Sequence, residues 1–121
     1  MRVVIIGAGA VGTGMGLLLR QRNYPITGVA SRTLASARRA AARLNCPVFD
    51  RPEEAARAGN MVFITTSDQA IGPVAATIAR RGGFRPGQTV IHMSGSLTSR
   101  VLDPAREAGA LAISLHPLQS C

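Results

Sequence analysis

The stretch VVIIGAGAVGTG, residues 3–14, decides how this sequence reads. Four branched apolar residues run straight into Gly7, Gly9 and Gly12, spaced G-x-G-x-x-G, and apolar residues at helical intervals follow. A strand, a glycine turn and a helix in that order are the opening of a dinucleotide-binding crossover. Gly7 permits the tight turn, Gly9 lets a pyrophosphate come close to the backbone, and Gly12 lets the helix settle on the strand. The helix then begins with N–H groups at Ala10 and Val11 that have no carbonyl of their own helix to bond, and these suit a phosphate. Gly14 and Gly16 extend the run into the helix, each about 1 kcal/mol worse than alanine. Either close helix packing or tertiary contacts elsewhere must offset that cost.

Beyond this stretch, short apolar runs alternate with segments of helical spacing. Strands are expected at 3–6, 26–30, 48–49, 61–65, 89–92 and 111–114. The pattern predicts an α/β chain, a Rossmann-like, doubly wound and mainly parallel six-stranded sheet with helices on both faces. Val11, Met15 and Leu18 are expected to form the buried face of the first helix, and Leu34, Ala37, Ala41 and Leu44 that of the second. Arg38, Arg39 and Arg43 then point to solvent. A third helix should follow Arg51, with Pro52, Glu53 and Glu54 in its first turn. A fourth should follow Asp68 as N-cap, its regular part delayed to about Gly72, or bent, by Pro73.

Size and composition narrow the class. With 121 residues the chain is expected to be one domain, spanning 1–121. Its 46% hydrophobic content includes only 3% aromatics, so the core must be Val, Ile, Leu and Ala, as in buried parallel strands. The formal charge of +8 comes from arginine alone. These arginines are dispersed and aromatics for stacking bases are scarce, which argues against a specific nucleic-acid partner. Cys46, Cys121, His92 and His116 are too few and too scattered for a disulfide framework or a metal site. No Ser/His/Asp arrangement stands out. No apolar run approaches the roughly 18 residues of a membrane span, so no membrane association is expected, and a cytoplasmic location is.

A second stretch, GVASRT at 28–33, bears on the cofactor. In this fold the second strand of an NAD-binding protein commonly ends on a carboxylate that bonds the ribose hydroxyls. Here it ends on Ser31 and Arg32, and no acidic residue occurs from Met1 to Phe49. Arg32 offers a delocalised cation with several donors for a 2′-phosphate, and Ser31 and Thr33 add hydroxyls. NADP is therefore expected in preference to NAD. Thr33 also suits an N-cap for the second helix.

The glycine loop, VASRT, VFITTSDQAI (62–71), VIHMSGS (90–96) and LHPLQS (115–120) together resemble one family. Its members pair an N-terminal Rossmann-like NADP-binding domain with a helical C-terminal domain of unknown function. They are related more distantly to pyrroline-5-carboxylate reductase, the deazaflavin-dependent NADP oxidoreductases and the 6-phosphogluconate dehydrogenase superfamily. The resemblance implies that the helical domain, which in related reductases closes the substrate pocket and often makes the dimer, is absent from these 121 residues. It implies cofactor contacts at Thr65 and Thr66, although Thr66, Ser67 and Asp68 stand where the family usually has Val-Pro-Asp. Cys121 stands where the family commonly has an aromatic.

At the carboxyl ends of the later strands, Ser94 is a candidate donor to the nicotinamide amide or a substrate carbonyl, or else a turn serine beside Gly95. His116, in a His-Pro step similar to one in prephenate dehydrogenases, is the candidate acid or base. His92 reads as a packed, hydrogen-bonded core histidine. The expected function is that of an NADP(H)-binding domain of an oxidoreductase moving hydride to or from a small C=O or C=N substrate. A non-catalytic NADP-binding sensor or interaction module is the alternative.

Overall fold

The computed structural model describes residues 1–115. Their elements follow in the order β1 (Val3–Ile6), α1 (Ala10–Gln21), β2 (Ile26–Ala30), α2 (Leu34–Leu44), α3 (Pro52–Arg57), β3 (Met61–Ile64), α4 (Asp68–Arg80), β4 (Thr89–His92), α5 (Asp103–Glu107) and β5 (Leu111–Ser114). A short 3-10 turn, Ser99–Leu102, leads into α5. The five strands form one parallel sheet in the order β2-β1-β3-β4-β5.

Each strand divides its side chains between two layers, because successive residues point to opposite faces. Val4, Ile6, Val62, Ile64 and Val90 pack with Ala55, Ile71, Ala75 and Ile78 of α3 and α4. Val3, Ile5, Val29, Phe63 and Ile91 face the other way, toward Ala40, Ala41 and Leu44 of α2. All four β1 residues are buried, as a central strand covered on both faces requires.

The sheet has five strands, not the six expected. Residues 48–49 contribute only an isolated parallel bridge, Val48 to Val29, on the outer edge of β2. The Val29 N–H bonds the Pro47 carbonyl at 3.1 Å and the Phe49 N–H bonds the Val29 carbonyl at 2.9 Å. A run of two apolar residues is too short to extend that pairing into a ladder before α3 begins.

Three helix expectations are also corrected; Leu34, expected on the buried face of α2, is 39% exposed. In α1, Val11 and Leu18 are 55% and 45% exposed, and only Met15 of the expected face packs against the core. The face pressed on the sheet is Gly12, Thr13 and Gly16. A Cβ on Gly16 would stand 2.9 Å from Leu44 Cδ2, so the missing side chain sets the depth of the α1–α2 contact. In α4, helix runs from Asp68 straight through Pro73, with Ser67 at the N-cap position and Asp68 inside the first turn. In α3, Pro52 and the two glutamates occupy the first turn as expected, but Glu53 is buried, with Oε2 3.6 Å from Arg81.

Candidate functional site

The chain leaves β1 toward β2 and returns across the sheet to β3, so β1 and β3 flank the point where the winding reverses. At such a point the loops diverge and a crevice opens at the carboxyl ends of the strands. Here it is a cleft of about 550 Å³ between the glycine loop, the end of β2 and the start of α4.

Gly7, with φ at +102°, makes the turn out of β1, and its N–H still bonds the Ala30 carbonyl at 2.9 Å. A Cβ there would lie 2.7 Å from the Thr65 backbone, so the conformation and the space both demand glycine. Thr65 extends the β3 ladder by one bond, its N–H to the Ile6 carbonyl at 2.8 Å. Its hydroxyl donates to the Gly7 carbonyl at 2.8 Å. Ser31 accepts the Ala8 N–H at 3.4 Å, and the Thr13 hydroxyl donates to the Ala8 carbonyl at 3.3 Å. Three hydroxyls thus hold the loop from three sides.

Gly9 is different. No heavy atom lies within 4 Å of the position its Cβ would take, and it caps α1 with no side chain. The first-turn N–H groups at Ala10, Val11 and Gly12 have no acceptor within their own helix, Gly9 supplies no side-chain cap, and no acidic residue sits in that turn. This arrangement attracts an anion.

Of the expected cofactor contacts, Gly7, Gly9, Ser31, Arg32, Thr65 and Thr66 line the cleft together. Arg32 is exposed on its rim. Thr33 lies outside the lining; its hydroxyl accepts the Ser36 N–H at 3.2 Å and caps α2. Sequence reasoning missed Asp50, which lines the same cleft. It is the first carboxylate of the chain, and the bridge at Val48 carries it to the end of β2.

Ser94 does not line the cleft; it is 7% exposed and belongs to a hydrogen-bonded chain beside it. Its hydroxyl oxygen accepts the Ser96 N–H and lies 3.2 Å from Ser96 Oγ. The Ser96 hydroxyl donates to Asp68 Oδ2 at 2.7 Å, tying the loop after β4 to the first turn of α4. That bond first, and a weaker one from the Ser94 hydroxyl, hold the Asp68 carboxyl below its ordinary value, with desolvation opposing them. His92 is fully buried, as a core histidine should be. Its Nδ1 accepts the Ser94 N–H at 3.1 Å, so Nε2 carries the proton given to the Thr98 carbonyl at 2.8 Å. His116 lies outside the described residues.

Cys46 packs against the α2 face of the core, and burial pushes its thiol up, with Arg20 pulling the other way. Among the described residues, no cluster of His, Cys, Asp or Glu has metal-site geometry, and no helix is long and apolar enough to cross a membrane.

Residues 1–117 match the Rossmann-like domain family. Among solved structures, a candidate NADP oxidoreductase from Bacteroides fragilis superposes with a TM-score of 0.82 at 24% identity, over 99% of this chain and 45% of that one. An imine reductase from Bacillus cereus gives 0.74 at 19% identity, over 93% and 39%. An arogenate dehydrogenase from Synechocystis gives 0.73 at 19%, over 89% and 37%. At these identities the likeness is one of fold, and the chain spans less than half the length of each. No curated protein matches the chain.

Proposed function

Because the chain belongs to the Rossmann-like domain family, we propose that it is the NADP(H)-binding domain of an oxidoreductase. The reaction would move hydride to or from a carbon–oxygen or carbon–nitrogen double bond of a small molecule. One observation carries the reading. Gly9 leaves open space over an uncapped helix N-terminus, at the mouth of a cleft whose rim holds Arg32.

These residues fit a dinucleotide. The N–H groups of Ala10 and Val11 would hold the pyrophosphate, Arg32 and Ser31 the adenosine end, and Thr66 the stretch toward the nicotinamide. The cofactor supplies the hydride; the chain binds and orients it. Solved structures of the same fold include proteins named as oxidoreductases, and their greater length supports a companion domain that completes the substrate pocket. His116 is retained as the proposed acid or base and Ser94 as a polar contact to nicotinamide or substrate.

Asp50 favours a second reading, NAD in place of NADP, since a carboxylate in the cleft could accept from ribose hydroxyls. Calorimetric titration with NADPH and NADH separates the two. The proposal expects NADPH to bind more tightly and Arg32→Ala to remove about tenfold or more of that advantage while sparing NADH. Equal or tighter binding of NADH transfers the role to Asp50, and binding of neither nucleotide ends the cofactor reading. Tight NADPH binding without turnover by any longer form of the protein would make it a sensor or interaction module.

A further inference from the structure

A second cavity, of about 280 Å³, adjoins the main cleft. Ala8 and Gly9 line both, so the glycine loop is a wall common to the two. Its other wall is a face of α2 that carries Ser36, Arg39 and Arg43. Arg39 and Arg43 stand one helical turn apart and so share that face, whereas Arg38 lines neither cavity. Arg39 is not a loosely solvated side chain: its Nη2 donates to the Ser36 hydroxyl at 3.1 Å, which draws the guanidinium back toward the start of α2. That bond uses one of five N–H donors. No carboxylate lines the cavity, and none occurs in the first turn of α2.

A phosphomonoester is the group this arrangement suits. It carries close to two negative charges at neutral pH, and guanidinium–phosphate pairs are among the stronger polar contacts. Arg32 lines the main cleft and Arg39 the second cavity, and Ala8 and Gly9 are common to both.

We infer that the second cavity receives the 2′-phosphate of NADP, with Arg39, oriented by Ser36, as the guanidinium that binds it together with Arg32. This rests on the NADP reading above and adds to it a residue that sets the choice between the two nucleotides. Inorganic phosphate shares the chemistry, so the test must separate a phosphate carried on the cofactor from a free one.

The experiment titrates the chain and its Arg39→Ala, Arg39→Lys and Arg38→Ala variants with NADPH, NADH and inorganic phosphate. Arg39 is exposed, so its variants should fold, and a thermal melt checks that they do. The inference expects Arg39→Ala to weaken NADPH about tenfold with NADH unchanged, Arg39→Lys to recover part of the loss, and Arg38→Ala to alter neither nucleotide. Retained NADPH preference in Arg39→Ala overturns it while leaving the NADP reading intact. Loss of phosphate binding alone, with both nucleotide affinities unchanged, also overturns it and makes the cavity a separate anion site. Failure of the unmodified chain to bind NADPH removes both readings.

Discussion

The Thr65 hydroxyl donates to the carbonyl of Gly7 at 2.8 Å, joining the turn after β3 to the first glycine of the loop after β1. A side chain assigned to the cofactor on resemblance therefore has a structural task as well. Thr65→Val keeps the shape and deletes the donor, and it should cost about 1–2 kcal/mol. Thr65→Ser should melt close to the unmodified chain. Thermal melts of the pair check this; equal melting temperatures for Val and Ser would mean that the hydroxyl bond does not hold the loop.

Gly9 and Gly12 should respond in opposite ways to the same methyl group. A Cβ on Gly12 would overlap the Gly7 carbonyl oxygen and Thr65 Oγ1, so Gly12→Ala should destabilise by about 3 kcal/mol. Gly9→Ala meets nothing within 4 Å and has φ at −76°, so it should melt within a few degrees of the unmodified chain. The methyl would nonetheless occupy the approach to the helix N-terminus and weaken NADPH by about tenfold or more. Unchanged nucleotide affinity in Gly9→Ala would remove the loop as the phosphate seat.

Asp68 should shape the acid limb of stability. Its carboxyl is held below the ordinary value of 3.8 chiefly by the Ser96 hydroxyl, so the folded state binds its proton less readily than the unfolded state. Its contribution is complete above that ordinary value and is lost as pH falls through the lower, folded one. Asp68→Asn should flatten the fall in melting temperature below about pH 4. Ser96→Ala should do the same in part. Superimposable melting profiles for both variants and the unmodified chain would show that the bond carries no linkage.

Much of the frame is legible in the residues. The Val/Ile run before Gly7 and the spacing of the glycines are local signals, and β1, its turn and the start of α1 fall where they indicate. Pro52 likewise marks the start of α3. The sixth strand misled because two apolar residues look alike whether they form a ladder or one bridge. The burial of α1 misled for a different reason: hydrophobic spacing registers Val11 and Leu18, but it cannot register that helix and sheet meet through the absence of side chains at Gly12 and Gly16. The site is less legible than the fold. Ser96 and Asp68 are 28 positions apart, and Thr65 and Gly7 are 58 apart, so no local pattern announces either contact. Arg38 and Arg39 are indistinguishable in a row of arginines until the helix assigns each a direction.

The Ser96 bond to Asp68 also sets the polarity of its neighbour. Ser96 has a single hydroxyl hydrogen, and the carboxylate takes it. The Ser94 hydrogen then goes to Ser96 Oγ, 3.2 Å away, or to the same carboxylate. With the Ser96 N–H already on its oxygen, Ser94 keeps one lone pair and no hydrogen for anything that arrives. A carboxamide NH₂, an amine or an alcohol can make that bond; a ketone cannot unless the row of hydrogens first reverses. While Asp68 is ionised, Ser94 is thus an acceptor alone toward any group that reaches it.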